Sequence, residues 1–524
     1  MPTLKIDGQE ITVEPGTTVL QAAKKLGIDI PHYCYHPALS IAGSCRMCLV
    51  EIEGHRKLET SCSTIAGDGM EVHTDTPKVK EARKNILEFL LINHPLDCPV
   101  CDKAGECYLQ DYDYQYGSAH SRFRKEDKRV RPNKDLGGNI HHVQNRCILC
   151  TRCVRFYRDV VGEELLFVEN RGYHSEISVL PGKELNTKMD GNITEICPVG
   201  ALLDKDFMYQ ARVWHLEHTK GVCPGCSAGC NIDIQSKGNK IYRIRSRENQ
   251  AVNQYWICDD GRYFFHKYEE VERIEAPLKR AGDKLNPTSW EEALSIVHDR
   301  LALIKKSDGA NFIGAVGSAF ASNEENYLLK KLFQGEIGTD ALYIYAPEPE
   351  GENVTFKSGF TIRADRSPNR KGAELIIGKT KGDFWKAIQK GEIKALYVLN
   401  GNLNTSLTEE QKTILKKLEF LAVQDFYLSD WAKLANVVLP GGTAFEKDGS
   451  FTNHSGRVQR FFKALELPGS AKADWDILLQ LGKKFKTDWN LISASDVMND
   501  LASSVKAFAD ISYFKLGDQG IQIS

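Results

Sequence analysis

The chain has 524 residues, of which 42% are hydrophobic and 26% charged, so it is long enough to form several globular domains with their own cores. Its formal net charge of −2 lacks the basic excess of a nucleic-acid-binding protein, and we expect no nucleic-acid partner. No apolar run approaches the roughly 20 residues that a membrane span requires, and Met1 begins no recognisable signal peptide. We therefore expect a reducing compartment, where closely spaced cysteines indicate metal or redox chemistry rather than disulfides.

The cysteines are the main signal, because all 15 lie between Cys34 and Cys258. By spacing they form four sets, which we number in chain order: Cys34, Cys45, Cys48 and Cys62; Cys98, Cys101 and Cys107; Cys147, Cys150, Cys153 and Cys197; Cys223, Cys226, Cys230 and Cys258. A cluster of four irons takes four protein ligands, so the second set needs one more. His94 is the nearest candidate, and spacing alone leaves these competitors open: Asp97, Asp102, Asp111 and His120.

The first set belongs to a recognisable local pattern. Asp7-Gly8 separates two short strands and predicts a hairpin, and Thr18 with Gln21 predicts a capped helix that ends at Gly27. The spacing C-x10-C-x2-C-x13-C then follows, which is a variant of the plant-type ferredoxin spacing. Hairpin, helix and cysteine loop are typical of a 2Fe-2S ferredoxin fold. The alternative is four thiols that are simply buried in a core.

The second and third sets predict two further cluster sites. Apolar residues at helical spacing predict a helix over 78–93, which would deliver His94 to the second set. Cys147-x2-Cys150-x2-Cys153 is the triplet of 4Fe-4S ferredoxins, and Cys197-Pro198 resembles their Cys-Pro ending. Since a second triplet is lacking, these four thiols most simply bind one 4Fe-4S cluster.

The fourth set and one basic segment each allow more than one interpretation. Cys223-x2-Cys226-x3-Cys230 with Cys258 could hold zinc as well as an iron–sulfur cluster. Residues 122–131 are rich in arginine and lysine, which is typical of a solvated loop. Alternatively, these cations offset the negative charge of thiolate-ligated clusters, or they dock a partner.

From about Ala276 the pattern changes to alternating helices and strands, which predicts an α/β region on a largely parallel sheet. The expected elements are a helix capped by Ser289, a strand over 312–316, a helix over 323–333, and strands over 396–399 and 421–424. Ala373 to Thr380 nearly matches a phosphate-binding loop, but its first glycine is missing and its middle is expected to be a strand. A GxGxxG turn is also missing, so we expect the chain neither to hydrolyse nucleotides nor to bind NADH.

The most specific stretch reads His94-x3-Cys98-Pro99-x-Cys101-Asp102-x-Ala104-Gly105-Glu106-Cys107-x-Leu109-Gln110-Asp111. It resembles the histidine-ligated cluster motif of the large iron–sulfur subunit of NADH:quinone oxidoreductase, respiratory complex I. Residues 147–155 and 197–202 are similar to the next cluster motif of that family. Residues 258–262 and 446–459 resemble its molybdopterin-oxidoreductase-like domain. The resemblance covers the chain from Met1 to about Ala464.

The resemblance implies an α+β and α/β multidomain protein. Its expected parts are a 2Fe-2S ferredoxin-like (β-grasp) domain at 1–77, a His/Cys3 4Fe-4S domain at 78–120, a 4Fe-4S ferredoxin-like domain at 121–215, a 4Fe-4S molybdopterin-oxidoreductase-type domain at 216–275 and a truncated molybdopterin-oxidoreductase-like α/β domain at 276–524. The implied cofactors are one 2Fe-2S cluster on the first set and three 4Fe-4S clusters, with His94 completing the second set. Because no cysteine follows Cys258 and no other obvious ligand is present, we expect the last domain to hold no molybdenum cofactor.

The implied function is an electron relay in the peripheral arm of the complex. The expected partners are an NADH-oxidising flavin subunit with its 2Fe-2S companion, connecting subunits that form the quinone site and, indirectly, the membrane arm. The chain itself would bind neither NADH nor quinone, and it would lie at the cytoplasmic face of a bacterial inner membrane as a peripheral subunit without a transmembrane segment. The alternatives are a diaphorase subunit of an NAD-linked hydrogenase or formate dehydrogenase, and a true molybdenum oxidoreductase.

Overall fold

The computed structural model describes residues 1–118, 120–378, 383–399, 402–403 and 406–523. These residues form two compact units, the first comprising residues 1–216 with 355–360 and the second comprising residues 217–354 with 361–524. Within the described ranges, no helix combines the length and the apolar character that crossing a membrane requires.

The first unit contains short strands and helices. Its strands are β1 Thr3–Ile6, β2 Gln9–Thr12, β3 Leu49–Ile52, β4 Glu59–Thr60, β5 Glu71–His73, β6 Ile140–His142, β7 Leu166–Glu169, β8 Glu176–Val179 and β9 Leu202–Asp204. Its α-helices are α1 Val19–Lys25, α2 Pro77–Leu91, α3 Tyr108–Tyr116, α4 Arg152–Phe156 and α5 Asn192–Ile196.

The N-terminal part of this unit has the expected ferredoxin-like layout. Strands β1 and β2 form the predicted hairpin, and the sheet order is β2-β1-β5-β3-β4, with β1 and β5 parallel. Helix α1 has the predicted capping box, in which the Thr18 side chain accepts the Gln21 N–H and Gln21 accepts the Thr18 N–H. The helix buries Val19, Leu20 and Ala23 against the sheet. Both the hairpin and the capped helix are therefore confirmed.

The rest of the first unit positions the second and third cysteine sets. The predicted helix is confirmed as α2, which begins after Thr76, whose hydroxyl accepts the Val79 N–H (3.2 Å). The helix ends three residues before His94. Strand β6 pairs antiparallel with β9, and β7 pairs antiparallel with β8. Helix α4 begins next to Cys153, and α5 ends immediately before Cys197.

The remaining elements follow residue 217. The strands are β10 Glu217–Val222, β11 Asn231–Lys237, β12 Lys240–Ser246, β13 Leu278–Ala281, β14 Lys284–Pro287, β15 Ile313–Ser318, β16 Leu342–Tyr345, β17 Val354–Thr355, β18 Thr361–Ile362, β19 Ala395–Leu399, β20 Phe420–Asp425, β21 Val437–Pro440, β22 Gly449–Thr452, β23 Arg457–Phe461 and β24 Ile521–Gln522. The α-helices are α6 Asp259–Arg262, α7 His266–Glu269, α8 Trp290–Ser307, α9 Asn323–Lys330, α10 Arg370–Ile377, α11 Phe384–Gln389, α12 Glu409–Leu415, α13 Asp430–Leu434, α14 Asp474–Lys484, α15 Ala494–Ser504 and α16 Tyr513–Leu516.

A seven-stranded sheet organises the second unit, in the order β14-β13-β21-β20-β19-β15-β16. Its central pairs are parallel, whereas β13 and β14 form an antiparallel edge. Along β19, Tyr397 belongs to one hydrophobic cluster and Leu396 to another, so both faces of the sheet are covered. The predicted largely parallel α/β sheet is confirmed. Helices α14 to α16 follow Ala464 and contribute Ile477, Val497 and Leu516 to the first of these clusters.

One predicted strand is wrong. We expected a strand in the middle of Ala373 to Thr380, but the structure has helix α10 there. Ala373, Ile376 and Ile377 are buried at helical spacing, so packing on one face of a helix decided the conformation of a short apolar run that is ambiguous from sequence. Lys379 and Thr380 lie outside the described residues.

Candidate metal centres

The cysteines of the first set lie in and beside the loop that follows α1. The backbone N–H groups of Tyr33 and Cys34 each donate to Cys45 Sγ at 3.5 Å. Arg46 adopts a left-handed conformation with φ of 60°, which turns the chain between Cys45 and Cys48. Cys48 and Cys62 are buried in the core of the sheet. The loop and the sheet thus bring the four predicted side chains to one place.

The sulfurs of the first set interact directly. Hydrogen bonds from Cys45 and Cys62 hold the pKa of Cys34 well below its usual range, and a hydrogen bond from Cys62 lowers the pKa of Cys48 to about 7. The same contacts, together with burial, raise the pKa of Cys45 and Cys62. Four thiols that shift one another's pKa values lie close together, which fits a centre that binds all of them as thiolates.

The second set lines one small cavity together with His94. Its lining comprises His94, Asp97, Cys98, Cys101, Ala104, Cys107, Gln110, Arg146 and Gly200. Of the competing ligands, Asp102, Asp111 and His120 are not in this lining, and Asp102 Oδ1 accepts the Tyr209 N–H (3.1 Å). Asp97 does line the cavity, but Arg146 binds it. The structure therefore favours His94 as the fourth ligand.

The surroundings of His94 keep its ring neutral. Burial, followed by the positive charges of Arg146 and Lys128, lowers the pKa of His94 to about 4, and a neutral imidazole can bind a metal. Lys128 also holds the residue in place, because its ammonium donates to the carbonyl oxygens of Leu91 (2.7 Å) and His94 (3.0 Å).

Close packing completes the second site. A Cβ atom on Gly200 would lie 2.2 Å from Cys101 Sγ, so only glycine leaves room for that sulfur. Burial raises the pKa of Cys107 to about 11. Thiolates at such a site need nearby positive charge, which a bound metal centre supplies.

The third set also lines one cavity, in which all four predicted cysteines are present. Leu149 and Thr151 adopt left-handed conformations, with φ of 53° and 59°, between the three clustered cysteines. Such strained non-glycine residues occur mainly where function requires them. Burial raises the pKa of Cys147 to about 12 and that of Cys150 to about 11, as expected for a closed thiol site.

Arginine side chains connect the first and third sets. Arg155 donates to the carbonyl oxygens of Cys34 (2.5 Å) and Cys150 (3.1 Å). Arg152 donates to the carbonyl oxygens of Tyr35 (2.5 Å) and Ile196 (3.0 Å), each next to a predicted ligand. Both side chains are buried. Sequence reasoning missed their role, although their position within and beside the Cys150-x2-Cys153 motif was a signal.

The basic segment 122–131 is not a simple solvated loop. Besides the contact of Lys128 with the His94 carbonyl, Arg131 donates to the Ser175 carbonyl (2.6 Å) and Arg129 to the Tyr173 carbonyl (2.5 Å). Arg122 instead pairs with Glu88 at 2.6 Å, with its own side chain 83% exposed. Lys128 thus binds the main chain at the second site, and Arg129 and Arg131 bind the main chain at residues 173 and 175, while the roles predicted for the charges of the segment stay predictions.

The fourth set lies within the second unit and is buried throughout. The Cys223 N–H donates to the Cys230 carbonyl (2.8 Å), which closes the loop that carries three of the four thiols. Cys258 precedes helix α6. Burial and the negative charge of Cys226 raise the pKa of Cys223 to about 12. Four converging thiols fit either a 4Fe-4S cluster or zinc.

A cavity of about 620 Å³ occupies the second unit and includes Pro224, Gly225 and Asp260, which flank the fourth set. Its wall contains a buried ion triad, in which the Lys447 ammonium lies 2.7 Å from Glu325 and 2.6 Å from Asp474. None of the described lining residues is a cysteine.

Models of known families match the chain in consecutive segments. The 2Fe-2S iron-sulfur cluster binding domain matches residues 1–77, the NADH-ubiquinone oxidoreductase-G iron-sulfur binding region matches 83–122, and the ferredoxin-like domain of NADH-quinone oxidoreductase subunit 3 matches 137–203. The molybdopterin oxidoreductase Fe4S4 domain matches 216–268, and molybdopterin oxidoreductase matches 273–347 and 366–484. The predicted order of 2Fe-2S, 4Fe-4S and molybdopterin-oxidoreductase-like domains is confirmed, and the Fe4S4 match favours a cluster over zinc at the fourth set.

Curated relatives agree with this assignment. The NADH-quinone oxidoreductase G subunit of Rickettsia bellii is 36% identical over 86% of this chain and 66% of its own length. The Rickettsia conorii protein of the same name is 43% identical over 98% of this chain and 92% of its own length. The NADH-ubiquinone oxidoreductase 75 kDa subunit of Reclinomonas americana is 40% identical over 92% of this chain and 88% of its own length.

One solved structure, an NAD+-reducing [NiFe]-hydrogenase, matches 40% of this chain and 91% of that chain at 31% identity, with a TM-score of 0.35. The curated relatives from Rickettsia conorii and Reclinomonas americana match nearly all of this chain. Both belong to the family that its cysteine motifs resemble. The resemblance found in the sequence is thus confirmed, and the chain belongs to the family of the NADH-quinone oxidoreductase G and 75 kDa subunits, an iron–sulfur family of oxidoreductase subunits.

Proposed function

We propose that this chain relays electrons within an NADH:quinone oxidoreductase, from an NADH-oxidising flavin subunit toward quinone. The first set would hold one 2Fe-2S cluster, and the second set with His94, the third set and the fourth set would hold one 4Fe-4S cluster each. The chain would lie peripherally at the cytoplasmic face of the membrane, in contact with the flavin subunit and the quinone-site subunits. The molybdopterin-oxidoreductase-like domain would act as a scaffold without molybdenum.

The observation that carries the proposal is that three thiol sets of the first unit are neighbours through direct contacts. Arg155 hydrogen-bonds residues of the first and third sets. Arg146, beside Cys147, pairs with Asp97, beside Cys98, which connects the third set to the second. These contacts connect the first set to the third and the third set to the second. A chain of adjacent redox sites is what an electron relay needs.

The protein's own residues prepare these sites. When bound, iron–sulfur clusters supply one-electron redox chemistry whose potential depends on ligand type, burial and nearby charge. The cysteines of the fourth set are all buried, Cys45 of the first set and Cys147 of the third are partly exposed, and Cys98 of the second set is exposed. Arg146, Arg152 and Arg155 place positive charge close to the thiolates, which offsets the unfavourable burial of negative charge. His94 remains neutral and so makes the second site less negative than an all-cysteine site.

The test is purification of the native chain from gently solubilised membranes, followed by iron analysis, electron paramagnetic resonance (EPR) and mass spectrometry of its partners. We expect about 14 iron atoms per chain, from one two-iron and three four-iron clusters, with no molybdenum. We also expect a flavin subunit and integral quinone-site subunits to co-purify. Recovery from the soluble fraction with a hydrogenase or formate dehydrogenase subunit would contradict the proposed route toward quinone.

A further inference from the structure

Arg155 occupies the space between the first and third sets. Its side chain is only 4% exposed, and one terminal nitrogen of its guanidinium donates both to the Cys34 carbonyl (2.5 Å) and to the Cys150 carbonyl (3.1 Å). The other terminal nitrogen donates to the Ser40 carbonyl, and Nε donates to the Thr151 hydroxyl (3.3 Å). One buried cation therefore contacts a predicted ligand residue of each site.

These contacts hold the two cysteine loops at a set separation and keep a positive charge between them. The planar guanidinium has several donors in a rigid arrangement, so it holds the two loops at a set separation although Cys34 and Arg155 are 121 positions apart in the sequence. An arginine side chain also stays protonated in proteins, so its charge is permanent. In a buried environment such a charge acts strongly on groups a few ångströms away.

We propose that Arg155 is a positioning residue that couples the first and third sites: it fixes their separation and raises the reduction potentials of the clusters at both. The inference rests on the proposed relay. A nearby cation favours the reduced form of a cluster, because reduction adds negative charge. Since the same guanidinium contacts both sites, removing its charge must affect both potentials together, whereas a residue that merely supports one loop has no such paired effect.

Two substitutions separate charge from hydrogen bonding. Arg155→Gln removes the charge but keeps a side-chain donor, and Arg155→Lys keeps the charge but lacks the planar fork. Each variant is purified in the intact complex, its iron is counted, and the midpoint potentials of the two clusters are followed by EPR during redox titration. The magnetic interaction between the two reduced clusters, which depends on their separation, is read from the same spectra.

We expect Arg155→Gln to shift the oxidised-to-reduced ratio of both clusters about tenfold toward the oxidised form, which is a fall of ~59 mV in each midpoint. Arg155→Lys should keep both midpoints close to those of the unchanged protein but alter the magnetic interaction. The matched control is Arg158→Gln, one helical turn later. Arg158 is 49% exposed and binds Asp159 and the Ser40 hydroxyl rather than a cysteine carbonyl, so neither midpoint should change.

Each remaining outcome is decisive. Unchanged midpoints in Arg155→Gln with full iron content would overturn the proposal, as would equal shifts in the glutamine and lysine variants. Loss of iron from both variants would show that the contact serves assembly alone and would also overturn it. Absence of the 2Fe-2S and 4Fe-4S signals from the unchanged protein would instead contradict the proposed relay itself, so the two failures are distinguishable.

Discussion

The guanidinium of Arg146 lies 2.9 Å from the carboxylate of Asp97, which ties the residue before Cys147 to the residue before Cys98. Arg146 is almost fully buried and also approaches the Gly200 carbonyl (3.5 Å). The pair thus joins the second and third sites in the way that Arg155 joins the first and third.

Asp97→Asn should weaken both sites. The substitution leaves the buried Arg146 cation without its ion partner, which costs about 1–3 kcal/mol. We expect iron release from the second and third sites to a chelator to be roughly 5–30-fold faster. The control is Asp75→Asn, because Asp75 and its partner Lys80 are 62% and 54% exposed and such pairs contribute little. Equal release rates in both variants would contradict a structural role for the Arg146–Asp97 pair.

His94→Cys should retain a cluster at the second site but lower its midpoint potential. A thiolate adds one negative charge where the neutral imidazole stood, and the expected shift is on the order of 100 mV. Redox titration followed by EPR measures it. His120→Gln is the control, since His120 is exposed and absent from the lining of the cavity. An unchanged midpoint in His94→Cys would show that His94 is not a ligand.

Much of the site could be predicted because cluster ligands occur at short, characteristic spacings. Cys147, Cys150 and Cys153 lie within seven consecutive residues, so their convergence is a local property of the chain. The hydrogen bond of Arg155 to Cys34 and the fit of Gly200 against Cys101 depend instead on how distant segments pack. The error at α10 has the same origin, because a short apolar run leaves helix and strand unresolved until its buried neighbours are known.

Gly200→Ala should remove the second cluster. The added Cβ would lie 2.2 Å from Cys101 Sγ, which has to move away from the centre of its site. We expect a loss of about four irons per chain, together with the EPR signal of the cluster proposed at the second set, while the 2Fe-2S signal persists. Gly335→Ala is the matched control, because no atom lies within 4 Å of its added Cβ. Full iron content in Gly200→Ala would mean that the loop adjusts.

His36→Gln should make the first site less sensitive to acid. Burial, and then the charges of Arg152 and Arg155, lower the pKa of His36 to about 3, and its Nδ1 accepts the Ala38 N–H (3.2 Å). Since the unfolded chain takes up this proton near pH 6.5, the unfolded state binds more protons below that pH. Stability therefore falls as the pH drops from about 6.5 toward 3 and gains nothing from this group above 6.5.

The measurement is the rate at which the absorbance of the first site bleaches in denaturant at pH 7.5 and at pH 5.0. Glutamine can accept the Ala38 N–H without titrating, so the variant should avoid about 1 kcal/mol of the acid destabilisation, after allowance for partial exposure. The acceleration between the two pH values should then be roughly fivefold smaller than in the unchanged protein. His55→Gln, at an exposed position of the same sheet region, should retain the full acceleration. If the two variants respond alike, the acid sensitivity of the first site arises from groups other than His36.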